Sequence, residues 1–460
     1  MPLDASQTLG VEVPIPPYLL LPLLKSPLHG DANASPSIPT PPITTTYKEW
    51  TRTTHFLPAA FPRAHTLCVA PALTRPTLPT SKEHERRLRK EEFGRWKDHW
   101  KGFSAQDYFP ARSEREADET AQRLAQEQQS TPLWNVVQRW CRRGCEVPEN
   151  GLILIAAHAN GMHKETFEPC LEALIHHSST PIAEIWSLDT IDSGFSGVVN
   201  EGKLGPSASW CDQARDLLNL IHHLPEPGQA APDVLRWKER GGFAGTRPIV
   251  GIGHSYSGSA VLRLASAVPT ALDGIIFIDP VLLRPEVLSK RPKPEFNARA
   301  QGTVARRDVF SDRQEAMRYF QSRPFFSKWH PRALQAMVEH GLVPLDPISA
   351  PQGAVRLAMH RAREAAVFGQ SWQSTLSYAS GLIKRHTCKF HAVLMGNSDL
   401  ITDGFADITF VEDIKDWGGT SHIMPGNHLV VQEQPDKLGE HLATVLDAWY
   451  AHRPSFEARL

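Results

Sequence analysis

The sequence predicts an α/β protein on a mostly parallel, doubly wound sheet, with a helical cap inserted between two late strands. Three observations predict it. The run Leu152–Ala157 is continuously apolar, as a strand buried on both faces requires. Such runs alternate with amphipathic stretches of helical period as far as Asp279. The rhythm then stops over residues 285–385 and returns at His391–Met395, so the intervening segment has to sit over the strands' carboxyl ends.

The chain divides into four stretches on this reading. Residues 1–130 form a proline-rich arm followed by helices packing on or beside the core. Of 38 prolines, 15 fall in residues 1–80, and regular elements are not expected to extend through that spacing, so the arm should wrap or dangle. Residues 81–102 carry Trp96 and Trp100 at helical spacing, and Ser113–Gln129 is rich in Ala, Glu, Gln and Arg; both read as exposed helices. Residues 131–284 are the first part of the core. Strands are expected at Trp134–Trp140, Leu152–Ala157, Ile182–Leu188, Pro248–Gly253 and Gly274–Asp279. Helices are expected at Thr166–His176, Trp210–His223 and Ser257–Ala267. The cap, residues 285–385, has helical segments at Arg313–Gln321, Pro331–His340, Gly353–Phe368 and Trp372–Lys384. Residues 386–460 complete the core with strand His391–Met395 and helix Lys437–Trp449.

Composition removes several function classes. With 49 Lys+Arg against 50 Asp+Glu, no global field favours nucleic acid or an anionic membrane. The local basic run from Arg86-Arg87 to Lys101 is cancelled by Glu83, Glu85, Glu91 and Glu92. The apolar run Tyr18–Leu24 is short and contains Pro22, so neither a secretory signal nor an integral membrane segment is expected. The six cysteines (Cys68, Cys141, Cys145, Cys170, Cys211, Cys388) lie in unrelated segments and read as free thiols of a reducing compartment.

The sharpest chemical signal is Ile249-Val-Gly-Ile-Gly253-His254-Ser255-Tyr256-Ser257-Gly258, a buried strand entering a helix through small residues. Ser255 sits at the apex and resembles a nucleophile elbow, G-x-S-x-G, with Ser257 in place of the second glycine. A serine hydroxyl needs an imidazole base, itself oriented by a carboxylate. His428, in Gly426-Asn427-His428-Leu-Val-Val-Gln-Glu433-Gln434-Pro435, is the expected base, ahead of His422 on the same loop and His441 on the final helix. Asp399, closing Phe390-His-Ala-Val-Leu-Met-Gly396-Asn397-Ser398-Asp399, is the expected acid; Asp279, at a strand–Pro280 junction, is the rival. Backbone N–H groups of Tyr256 and of Asn160, in His158-Ala159-Asn160-Gly161-Met162, are the expected oxyanion donors. No His-Glu-x-x-His or comparable ligand set accompanies His158 and His163, so no metal or organic cofactor is expected.

Over residues 130–450 these motifs spell a resemblance to the α/β-hydrolase superfamily, sharpened by Leu188-Asp-Thr-Ile-Asp192-Ser-Gly194-Phe-Ser196, which looks like its Asp-x-x-Gly-x-Ser turn. The stretch His158–Pro169 and the cap segments Ser322–Arg332 and Glu339–Leu342 are similar to a fungal subgroup of peroxisomal hydrolases, from toxin-biosynthesis clusters and from yeast. The resemblance implies an α/β-hydrolase fold and serine hydrolysis of an ester, thioester or lactone of a lipophilic acyl compound. An acyltransferase using the same triad, and a non-catalytic binding protein on a hydrolase scaffold, remain alternatives. Ala458-Arg459-Leu460 resembles the tripeptide read by the peroxisomal import receptor, which makes that receptor an expected partner and the peroxisome the expected location, with the cytoplasm as the alternative.

Overall fold

The computed structural model describes residues 20–30, 44–63, 77–100, 113–143, 151–204, 209–225, 229–236, 247–283, 297–345, 351–370, 378, 387–398 and 408–450. Among these residues nine strands form one sheet in the order β1-β2-β3-β5-β4-β6-β7-β11-β12. They are β1 (Thr44–Tyr47), β2 (Trp50–Pro58), β3 (Trp134–Arg142), β4 (Leu152–Ala157), β5 (Ile182–Leu188), β6 (Ile249–His254), β7 (Gly274–Ile278), β11 (Lys389–Met395) and β12 (Thr420–Met424). Pairing is parallel from β5 through β12 and antiparallel among β1, β2, β3 and β5.

The central strands read as unbroken apolar runs because both faces are covered. Ile153, Ile155, Ile249, Ile275 and Phe277 face a cluster that includes Leu217, Leu220 and Leu264 of the helices Trp210–His223 and Tyr256–Ala267. Leu152, Leu154, Val250, Ile252 and Ile276 face the opposite cluster, which holds Cys170, Leu171, Leu438 and Leu442. The latter come from the helices Glu168–His177 and Pro435–Tyr450. Those two helices approach closely at Gly439, where a Cβ would fall 2.5 Å from Ala173 Cβ and 2.6 Å from the Cys170 carbonyl.

Two expectations need correction. Residues 44–58 are not a wrapping arm: β2 pairs along its whole length with β3, Trp50 opposite Arg142 and Pro58 opposite Trp134. The reason is local. Residues 43–57 contain no proline and are rich in Thr and aromatic residues, which suit a pleated surface. Pro58 closes the strand, and the flanking chain is pinned to helix Trp210–His223. Ala60 N–H and Arg63 Nη1 donate to Asp216 Oδ1 (2.9 and 2.6 Å), and Arg215 Nε donates to the Leu21 carbonyl (2.8 Å).

The cap also is not wholly helical. It has helices Ala298–Ala305, Arg313–Gln321, Pro331–His340 and Arg361–Gly369, and a three-stranded antiparallel sheet in the order β8-β10-β9. These strands are β8 (Val309–Phe310), β9 (Leu342–Pro344) and β10 (Val355–Leu357), so the first part of the expected helix Gly353–Phe368 is a strand. Strands of two or three residues are too short to leave a period in the sequence. The expected helix Trp372–Lys384 lies outside the described residues apart from Tyr378, as do Asp399 and Ala458-Arg459-Leu460. Among the described residues Cys141, Cys170, Cys211 and Cys388 are free thiols; Cys68 and Cys145 lie outside them.

Candidate active site

β6 ends at His254 and helix Tyr256–Ala267 begins two residues later, so Ser255 carries the whole turn at φ 61° and ψ −124°. This positive φ is strained for a residue with a Cβ. Gly253 makes the turn possible, because a Cβ there would lie 2.4 Å from the Ser257 carbonyl oxygen. The strain is held by neighbours: Ser255 N–H donates to the Ile278 carbonyl (2.9 Å), and Gly258 and Val281 N–H both donate to the Ser255 carbonyl (3.0 Å each).

Ser255 Oγ–H donates to His428 Nε2 at 2.9 Å, and His428 Nδ1–H donates to Asp279 Oδ2 at 2.6 Å. Nδ1 carries one hydrogen and Asp279, the rival acid of the sequence reading, engages it; the expected Asp399 lies outside the described residues. Asp279 follows β7 directly at φ 41°, a second strained residue, and its N–H donates to the Val393 carbonyl (2.7 Å). Met395 N–H donates to Asp279 Oδ1 (3.1 Å) and Ser398 Oγ–H to Oδ2 (2.5 Å). Burial pushes the Asp279 carboxyl up, but the hydrogen bond and charge of His428, with those from Ser398 and Met395, outweigh it and hold the group below the usual carboxylate range. The end of β11 therefore serves the site through Ser398, adjacent to the expected residue.

His428 is positioned from its backbone as well. His254 Nε2–H donates to the His428 carbonyl at 2.8 Å, and burial, followed by the His428 charge, lowers His254 to about 3, so it stays a neutral donor. Sequence reading missed His254, although it adjoins Ser255. The rival His422 lies on β12 and stacks on His441 at 4.4 Å between ring centroids, while His441 Nε2 meets His391 Nε2 at 3.0 Å. Those three imidazoles form a separate cluster.

The loop after β4 stands opposite the elbow. Asn160 and Tyr256 both line the cavity above Ser255, and neither backbone N–H donates to another described residue. Tyr256 N–H opens its helix and so has no acceptor within it. Behind the loop, Asp189 Oδ1 accepts from Lys164 N–H (2.8 Å) and Oδ2 from Lys164 Nζ (2.9 Å) and Phe195 N–H (3.0 Å). Gly194 sits at φ 48° within this turn, and Ser196 Oγ accepts from Val136 N–H (2.7 Å).

Ser255, Tyr256, Asn160 and His428 meet at a cavity of about 800 Å³ roofed by the cap. Tyr319, Phe320 and Phe326 line it, with Phe325 half exposed at the edge, and Phe310 and Trp329 extend this chain of contacting rings beyond the lining. Arg323 and Lys328 also line it, both exposed and with no carboxylate partner among the described residues; Arg323 lies 4.4 Å over the Tyr319 ring. Among the described residues no group of three or more His, Cys, Asp or Glu could hold a metal, and no helix is long and apolar enough to cross a membrane.

A family model described as "Alpha/beta hydrolase family" matches residues 152–440. A Penicillium brevicompactum protein named type I acyl-CoA thioesterase mpaH is 32% identical over 205 residues, 43% of this chain and 42% of its own. The chain thus spans less than half the length of that relative. The Saccharomyces cerevisiae peroxisomal membrane protein LPX1 is 25% identical over 225 residues, 46% of this chain and 54% of its own. The solved structure of a peroxisomal alpha-beta-hydrolase Lpx1 from Saccharomyces cerevisiae has a TM-score of 0.56 at 20% identity, covering 71% of this chain and 85% of that one. That likeness speaks for the fold.

Proposed function

The chain belongs to the alpha/beta hydrolase family, and from that premise and the site geometry we propose that it is a serine hydrolase cleaving a lipophilic acyl thioester through an acyl-enzyme. The observation that carries this is the continuous hydrogen-bonded chain from Ser255 Oγ through His428 to Asp279, with spacings of 2.9 and 2.6 Å, at the floor of an apolar cavity. Ser255 Oγ attacks the acyl carbonyl while its proton passes to His428 Nε2. Asp279 stabilises the resulting imidazolium, and the Asn160 and Tyr256 amides receive the negative charge on the former carbonyl oxygen. The tetrahedral adduct expels the thiol, which takes the proton from His428. Water then attacks the acyl-enzyme with His428 as base and releases a carboxylic acid and free Ser255.

The thioester is favoured over a simple ester by two supports. The Penicillium relative's name specifies acyl-CoA, and Arg323 and Lys328 at the cavity edge, which have no carboxylate partner among the described residues, suit a phosphate-bearing thiol. Replacing Ser255 by Ala is expected to lower acyl-CoA hydrolysis on the order of 10⁴-fold without changing the melting temperature, and to abolish fluorophosphonate labelling. More than a tenth of the wild-type rate in the folded variant would overturn the nucleophile. Transfer of the acyl group to an added alcohol in preference to water would instead move the reading to an acyltransferase.

We infer import into the peroxisome through Ala458-Arg459-Leu460, consistent with the yeast relative's peroxisomal name. An N-terminal fluorescent fusion should coincide with a peroxisomal marker and become diffuse when these three residues are deleted. A diffuse signal from both fusions would sink the inference.

A further inference from the structure

Two residues after Ser255, where the elbow pattern has glycine, Ser257 makes a contact that glycine could not. The residue is fully buried. Its Oγ–H donates to the His158 carbonyl (2.5 Å), and its Oγ accepts from Gln213 Nε2 (2.5 Å) on the helix Trp210–His223. His158 begins the loop whose third residue is Asn160. Ser257 therefore bridges the two sides of the site, standing next to Tyr256 on one and holding the start of the Asn160 loop on the other.

The rest of that loop is tied down in the same manner. His158 Nδ1–H and Met162 N–H donate to the Ala159 carbonyl (2.8 and 3.1 Å), and Asn160 Nδ2 donates to the Glu364 carbonyl (3.0 Å). Each of these bonds is internal to the loop or runs to the cap, whereas the Ser257 bond runs to the elbow. Gln213 Oε1 has no partner among the described residues, so the buried amide is kept at a cost that its Nε2–H bond to Ser257 offsets.

We propose that Ser257 is a positioning residue that fixes the separation between the Tyr256 and Asn160 amides, and thereby acts on the transition state and not on substrate binding. The inference rests on the reading of Ser255 as nucleophile. Donors aimed at a developing charge are effective only when they need not reorganise as it forms. A loop released from its anchor would still admit the substrate, whose acyl chain contacts the cap. It would meet the oxyanion with one amide displaced.

Ser257→Ala and Ser257→Gly are expected to lower kcat by about 10- to 100-fold with KM within twofold of wild type. Affinity for an acyl trifluoromethyl ketone, to which Ser255 Oγ adds to give an oxyanion, should fall in parallel with kcat/KM. Affinity for the product carboxylic acid should not change. Gln213→Met leaves the hydroxyl in place but withdraws one of its partners, and should give the same signature at about threefold to tenfold; it keeps the test open should the Ser257 variants fail to fold. Unchanged kcat in the folded variants, or a loss explained by KM, overturns the proposal. If Ser255→Ala is inactive while the Ser257 variants are wild type, only this inference falls; if Ser255→Ala retains activity, the reading beneath it falls as well.

Discussion

The floor of the cavity and its rim are built on opposite principles. At the floor, Ser255 and Asp279 are 6% and 1% exposed, both hold positive φ, and the Ser255 hydroxyl, both His428 ring nitrogens and both Asp279 carboxylate oxygens have fixed partners. At the rim, Phe325 is 50% exposed, and Arg323 and Lys328 extend from the turns between helices Arg313–Gln321 and Pro331–His340 without a carboxylate among the described residues to hold them. The difference teaches where each demand is met. Bond-making needs geometry that cannot relax, so it sits on strand ends in a close-packed core. Recognition of a long acyl thioester, as proposed above, would tolerate adjustment and suits side chains that keep their freedom.

The largest test of that contrast is the acid. Asp279→Asn should leave His428 with a tautomer that no longer presents a free Nε2 to Ser255, lowering kcat by about 10²- to 10⁴-fold, while Asp399→Asn should stay within threefold. Kinetics on samples of matched melting temperature check this, and the reverse ranking would return the role to β11. Because the folded-state pKa of Asp279 lies below its unfolded value, its stabilisation is present above the ordinary carboxylate range and is lost only as pH falls through the lower, folded value. Removing it should therefore cost stability at neutral pH and shrink the difference from wild type in acid.

What the sequence disclosed and what it withheld follow the range of each interaction. The elbow is a local pattern: Gly253 must lack a Cβ because the next turn of chain passes 2.4 Å from where it would be, and that constraint is visible as a string. The choice between Asp279 and Asp399 is tertiary. β7 and β11 are neighbouring parallel strands, Ile278 opposite Val393, and in the sequence an Asp follows each of them. Spacing alone cannot say which carboxylate meets Nδ1. β1 and β2 were hidden for another reason, since proline density over residues 1–80 averages away the proline-free window at 43–57. His254 was overlooked because its task is to hold a backbone carbonyl 174 positions away, which no local motif encodes.

The smaller test concerns the rim. Arg323→Gln combined with Lys328→Gln should raise KM for an acyl-CoA about tenfold, since two exposed charges each contribute roughly 0.2–1 kcal/mol and a tenfold change corresponds to about 1.4 kcal/mol. kcat should stay within twofold, because the phosphates lie far from the reacting carbonyl and are bound alike in ground and transition states. An N-acetylcysteamine thioester of the same acid carries the same acyl group and thioester without phosphates, and its KM should not move. Raising salt should erase the difference between the double variant and wild type on acyl-CoA, as the screening length falls from about 10 Å at 0.1 M to about 3 Å at 1 M. Equal losses on both thioesters would mean that the substitutions act by disturbing the aromatic wall beside Tyr319 and not through charge. The rim would then belong, like the floor, to the fixed part of the molecule.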